Sequence, residues 1–150
     1  LWQLFIGNIP GSMGETCKLA LLAGGAYLLV RRVISWRIPA AMLGTAFVCF
    51  LINSGSFYSA STSSALYQLL SGGLILAAFF MATDYSSSPV TPLGQIIYGV
   101  GCGLMVFIIR AFNPTYPEGC TYAILFMNLL TPLIDRWTAP RIYGRVKKNA

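Results

Sequence analysis

The sequence predicts an all-α membrane protein, a polytopic bundle of about five transmembrane helices. Two observations carry that prediction. Only 9% of the 150 residues are charged while 56% are hydrophobic, against roughly a quarter charged in soluble domains. Asp, Glu, Lys and Arg are also absent from residues 38–83, 85–109 and 119–134, and runs of that length do not face water. The mean hydropathy of +0.68 agrees. The net charge of +6 does not point to nucleic acid, because eight of the ten basic residues fall in two clusters beside apolar segments, as topology signals do. With no CxxC pair and no histidine, zinc or iron–sulfur ligation has little support. Cys17, Cys49, Cys102 and Cys120 read as small packing residues.

The elements follow in order. Leu1 begins inside an apolar stretch that Pro10 ends, so residues 1–150 read as one membrane domain of something longer. A first helix is expected over 15–34, with Lys18 one turn after Glu15 on the same face. Arg31, Arg32 and Arg37 then make a basic connection, and Trp36 is its interface anchor. The second helix, 38–53, opens with Pro39 in its first turn, where a missing N–H is harmless. A serine-rich loop leads to the third helix, 65–83, whose Gly72 and Gly73 allow close approach of a neighbour. Asp84 opens the turn-rich DYSSSPVTP. The fourth helix, 94–112, carries Gly99, Gly101 and Gly103, which read as small-residue packing because no strand precedes them. The fifth, 118–137, contains Pro132, expected to kink or break it near its end.

With five spans, the two basic clusters lie on one side. That side is cytoplasmic by the positive-inside tendency, the C-terminus with it. Lys18 and Arg110 are the exceptions.

Charged and polar clusters supply the candidate sites. In IPGSMGET, Ser12, Gly14, Glu15 and Thr16 offer hydroxyls, free N–H groups and a carboxylate before an apolar run. That group could hold a polar ring or phosphate, although Ser12 with Glu15 reads first as a capping box that starts a helix. An acid is expensive in so apolar a chain, so each of the four needs a reason. Glu15 and Glu118 read as helix-start charges, and Asp135 as a local pair with Arg136. Asp84, beside Thr83 and facing Ser86, Ser87, Ser88 and Thr91, reads as a nest for a cation or a hydroxylated ligand. Asp84, Glu118 and Asp135 are the ion-path candidates. No residue reads as a catalytic nucleophile or general base.

GNIPGSMGET, SWRIP, MATDYSSSPVTPLGQ, NPTYPEG and AILFMNLLTPLIDRW, in that order, resemble the C-terminal half of the D-subunit family of the Rnf complex. That complex is a membrane ferredoxin:NAD oxidoreductase that moves Na+ or H+. The B subunit of the Na+-translocating NADH:quinone reductase is a close relative. The resemblance implies one of two inverted five-helix bundles, similar to urea channels, in the bacterial inner membrane among other membrane subunits. It also implies FMN on a threonine upstream of this chain and a second flavin, such as riboflavin, bound without a covalent link. Ser12, Gly14, Glu15 and Thr16 match the family's outer segment, and Thr83 and Asp84 its inner MATD segment. Ser59-Ala60-Ser61-Thr62 is the nearest approach to the family's flavin-bearing threonine motif and reads as an ordinary loop. Two other readings stay open: half of a small-solute channel or transporter, and a structural membrane subunit with no cofactor.

Overall fold

The computed structural model describes residues 17–57, 62–112 and 119–139, and every regular element among them is helical. These are α1 (Lys18–Val30), α2 (Arg37–Phe57), α3 (Thr62–Leu70), a single turn α4 (Leu74–Leu76) that runs into a π-helical stretch (Ala77–Met81), α5 (Pro92–Phe112) and α6 (Cys120–Thr138).

The bundle is built around α5, with α2 on one side and α6 on the other. At about 1.5 Å per residue its 21 residues reach about 30 Å, the thickness of a bilayer core. Its buried face is Gly94, Tyr98, Gly99, Cys102, Gly103 and Val106. Leu93, Ile96, Ile97, Val100, Leu104 and Ile108 are exposed on it. Small residues inside and large apolar ones outside suit a helix solvated by lipid. The outward faces of α1, α2 and α6 show the same character at Leu19, Val48, Leu125 and Leu129.

Close approach explains the glycines. A Cβ on Gly99 would stand 2.8 Å from that of Ala41 and 2.9 Å from the Ile38 carbonyl oxygen. One on Gly103 would stand 2.8 Å from the Met42 carbonyl oxygen. The α2 backbone therefore lies directly on the α5 glycines, with Met42 and Ala46 fully buried beside them. On the other side Met127 of α6 covers Gly101, and the Tyr98 hydroxyl bonds the Asn128 side chain.

Several expectations are corrected. The third span is not continuous: α3 stops at Leu70, and Gly72 takes a left-handed φ of 68° that glycine adopts without strain. The chain resumes as a turn and a π-helix. There Ala82 N–H reaches Ala77 O at 2.7 Å and the Thr83 hydroxyl donates to Phe79 O at 2.6 Å. Among the described residues only Pro92–Phe112 is long and apolar enough to cross a membrane by itself, with Lys18–Val30 and Arg37–Ile52 as shorter apolar helices. Pro132 does not end α6, which continues to Thr138 with Pro132 exposed. The helix expected over 15–34 is described over Lys18–Val30 with Cys17 as its N-cap, and Glu15 lies outside the described residues.

Glycine substitutions on α2 and α5 test the close packing. Gly99→Ala should destabilise the bundle by about 1–3 kcal/mol through overpacking. Gly44→Ala on α2 faces open space and should be neutral or stabilising by up to about 1 kcal/mol. Reversible unfolding in mixed micelles measures both, and equal responses would contradict the contact.

Candidate functional site

Two polar regions occupy opposite ends of the bundle. At one end the turn after α1, with Arg32 in a left-handed backbone conformation (φ 54°), meets residues 83–95. The Ser35 hydroxyl donates to Gln95 Oε1 at 3.0 Å, and Gln95 Nε2 donates to the Pro89 carbonyl at 3.3 Å. One amide thus ties both loops to the start of α5. Asp135 of α6 accepts the Val90 N–H at 3.2 Å, and the Thr91 and Thr138 hydroxyls share a 2.5 Å bond.

Between these loops lies a cleft of about 730 Å³. Its polar lining is Arg32, Ser35, Arg37, Thr83, Ser88 and Gln95; Trp36 and Tyr85 add rings, and Leu29 and Ile38 are among its apolar walls. No acid lines it among the described residues, and neither guanidinium group has a hydrogen-bonded or ionic partner among them. Tyr85 is 97% exposed and Trp36 67%, leaving both rings available to a ligand.

The sequence-derived candidates separate. Ser12, Gly14, Glu15, Thr16 and Glu118 lie outside the described residues. Thr83 lines the cleft with its proton committed to Phe79 O, so its oxygen is left to accept. Asp84 is exposed and is not a lining residue, although Thr83 and Tyr85 on either side are. Its Oδ2 accepts the Ser86 and Ser87 hydroxyls at 3.0 and 3.2 Å, and its carbonyl accepts the Ser87 and Ser88 N–H groups. Thr91 takes no part in this turn. Those bonds, Ser86 first, hold the Asp84 carboxyl below its ordinary range. Among the described residues no three groups of the kinds that bind metals come together. Asp135 takes a backbone N–H where the sequence predicts a pair with Arg136. The cleft residues Arg32, Ser35, Arg37 and Gln95 do not stand out as site residues in the sequence, because topology fully accounts for the basic loop. The polar pair Ser35 and Gln95 in apolar flanks is the available signal.

At the opposite end the cut carbonyls of the broken helix are occupied. Lys18, only 4% exposed, donates from Nζ to Gly72 O at 2.8 Å. Arg110 donates to Gln68 O at 2.5 Å and to Ser71 O at 3.1 Å. Its guanidinium carbon lies 5.6 Å from the centre of the Phe50 ring, and Phe107 meets that ring edge-on.

Residues 1–144 match the sequence model of the NQR2, RnfD, RnfE family. The chain is 50% identical over 152 aligned positions to the D subunit of the Na(+)-translocating ferredoxin:NAD(+) oxidoreductase complex of Acetobacterium woodii, covering 99% of this chain and 45% of that protein. It is 42% identical to the D subunit of the ion-translocating oxidoreductase complex of Halorhodospira halophila, covering 97% and 40%. It is also 42% identical to the D subunit of the proton-translocating ferredoxin:NAD(+) oxidoreductase complex of Clostridium ljungdahlii, covering 94% and 42%. The chain thus spans less than half the length of each of these relatives.

The Asp84 turn makes a pH prediction. A carboxyl whose folded pKa is lowered stabilises its turn fully above the unfolded value, and that contribution disappears as pH falls through the folded one. Asp84 should therefore take up its proton at a lower pH than an ordinary aspartate, and Asp84→Asn should remove that protonation step. Infrared titration of the carboxyl C=O band, wild type minus variant, reads this. A step at or above the ordinary aspartate value would contradict the serine bonds.

Proposed function

Because the chain belongs to the NQR2, RnfD, RnfE family, we propose that it forms the C-terminal half of a membrane subunit in a redox-driven complex that moves Na+ or H+. Its helices are multi-pass in the inner membrane, with the arginine loop and the C-terminus on the cytoplasmic side, and other membrane subunits cover part of its outer surface. The relatives in Acetobacterium and Clostridium are named for different ions, so family membership alone does not choose between them. Asp84, Glu118 and Asp135 remain the acids proposed for the ion path.

The cleft between the arginine loop and residues 83–95 is the proposed seat of a flavin held without a covalent bond. The single observation that carries this is its lining, which combines two exposed rings with convergent polar groups in about 730 Å³, well inside the range of small-molecule sites. Trp36 and Tyr85 would cover a flat ring system. Gln95, already oriented by Ser35 and Pro89, would offer hydrogen bonds to its polar edge, and the Thr83 oxygen an acceptor. Arg32 and Arg37 supply positive charge at the rim, which favours an electron-rich ring or a phosphate tail. When bound, the flavin supplies the electron transfer, and the protein positions it and tunes its potential. Asp84 acts here by fixing the turn that sets Thr83 and Tyr85 on the cleft. Ser12, Gly14, Glu15 and Thr16 are proposed for the other flavin, the FMN whose threonine the family carries upstream.

The test separates the two flavins chemically. In the purified full-length subunit, Trp36→Ala combined with Gln95→Leu should abolish acid-extractable flavin and leave acid-stable flavin at the wild-type level. Absorbance of the supernatant and pellet after acid precipitation reads both. Wild-type amounts of extractable flavin in the double variant would refute the assignment of the cleft.

A further inference from the structure

The segment 77–85 leads from the π-helical stretch to the cleft, and what fixes its register lies outside the cleft. In a π turn each N–H bonds five residues back, one more than in an α-helix, and such single turns recur at functional positions. Here the Ala82 N–H reaches Ala77 O. If Ala77–Met81 relaxed to an α-helix by one residue, everything after it would be turned by about 100° about the axis. Thr83 and Tyr85, both on the cleft lining, would leave it. The Thr83 hydroxyl donates to Phe79 O at 2.6 Å, so a residue in the middle of the π turn also holds a residue of the lining.

Phe79 is itself held from another helix. Gly25 of α1 is buried, and a Cβ there would stand 2.7 Å from Cδ1 and 2.9 Å from Cγ of the Phe79 ring. These atoms are the root of the ring, and Cγ moves only if χ1 or the backbone moves with it. One residue earlier, a Cβ on Gly24 would meet the tip of Phe80, 3.3 Å from Cζ, and a tip can swing aside. We propose that Phe79 is a positioning residue for the cleft: its ring, seated on Gly25, holds the π turn in the register that sets Thr83 and Tyr85 on the lining. Because α1 ends at the loop that supplies Arg32 and Ser35 to the same cleft, this contact fixes the two walls relative to each other. The proposal rests on the reading of the cleft as a flavin seat.

Release of extractable flavin from the intact complex, followed by the fluorescence of free flavin after dilution, tests this, with the midpoint potential of that flavin as a second readout. Gly25→Ala should speed release about tenfold, the loss expected when a hydrogen bond and a ring contact go out of place, and should shift the potential. Gly24→Ala makes the same change to the backbone one residue away and should release at the wild-type rate. In a Phe79→Ala background, Gly25→Ala should add nothing, because the ring that carries its effect is gone. Wild-type release and potential in Gly25→Ala, equal effects of the two glycine variants, or an undiminished Gly25→Ala effect without the ring would each overturn the proposal. If Gly25→Ala does not assemble, judged by subunit content, Phe79→Leu takes its place, and wild-type release and potential there would overturn it equally. Hydrogen exchange over residues 77–85 in the same samples needs no flavin. A wild-type complex without extractable flavin would sink the flavin reading; faster exchange in Gly25→Ala than in Gly24→Ala would then still support the hold of Phe79 on the turn, and equal exchange would overturn it.

Discussion

In hydrocarbon, a backbone carbonyl without a donor costs several kcal/mol, and this constraint governs how the bundle can be broken. The chain interrupts one helix at residues 71–73 and then has carbonyls to satisfy. Lys18 and Arg110 reach them from α1 and α5, so three elements distant in sequence are fastened at one point. Gly72 makes the interruption sterically possible, and the two cations make it energetically tolerable. The π-helical stretch Ala77–Met81 follows the break after one α-helical turn. It carries Phe79, whose ring lies where a Cβ on Gly25 would stand, and it delivers Thr83 to the cleft at the other end of the molecule.

The rest of the bundle closes on a different principle. No hydrophobic driving force separates a Leu facing lipid from a Leu facing another helix, so association rests on close packing and on hydrogen bonds between helices. Gly99 and Gly103 let α2 lie against α5, and Tyr98 to Asn128 joins α5 to α6. Each bond across helices also fixes rotation. Gln95, one turn before Tyr98 on α5, bonds in the loops while Tyr98 bonds in the interior. One face of α5 therefore holds both the core and the cleft.

Much of this is legible in residue order. The absence of charge over 38–83 and 85–109 identifies a membrane chain, the glycines of 94–112 identify its packing face, and five ordered motifs identify the family. The break is not legible. Gly72 and Gly73 in an apolar run read equally as close-packing residues, and the difference is decided by Lys18 and Arg110, which lie 54 and 39 positions from the Gly72 and Ser71 carbonyls they bond. Spacing along one helix carries no information about donors arriving from another. For the same reason Arg110 stands in the sequence as an exception to the charge rule and Lys18 as that and a neighbour of Glu15, although the break depends on both. The cleft is half legible: Thr83 stands out by its motif, while topology alone accounts for Arg32 and Arg37.

That double use of the arginine loop bears on how such a protein can carry a site at all. A membrane chain with ten cations and four acids has few charges, and several of those described already have a structural duty. Arg32 and Arg37 of the basic loop line the cleft, and Lys18 and Arg110 satisfy the carbonyls of the broken helix. The two ends then differ in kind. At the arginine-loop end the charges of Arg32 and Arg37 have no protein partner among the described residues, so they are available to something that binds. At the other end Lys18 and Arg110 are bonded to backbone carbonyls and hold their place. One end therefore presents guanidinium groups to a cleft, while the other uses its cations to fasten α1, α3 and α5 at one point, and the lengths of α1 and α5 keep the two apart.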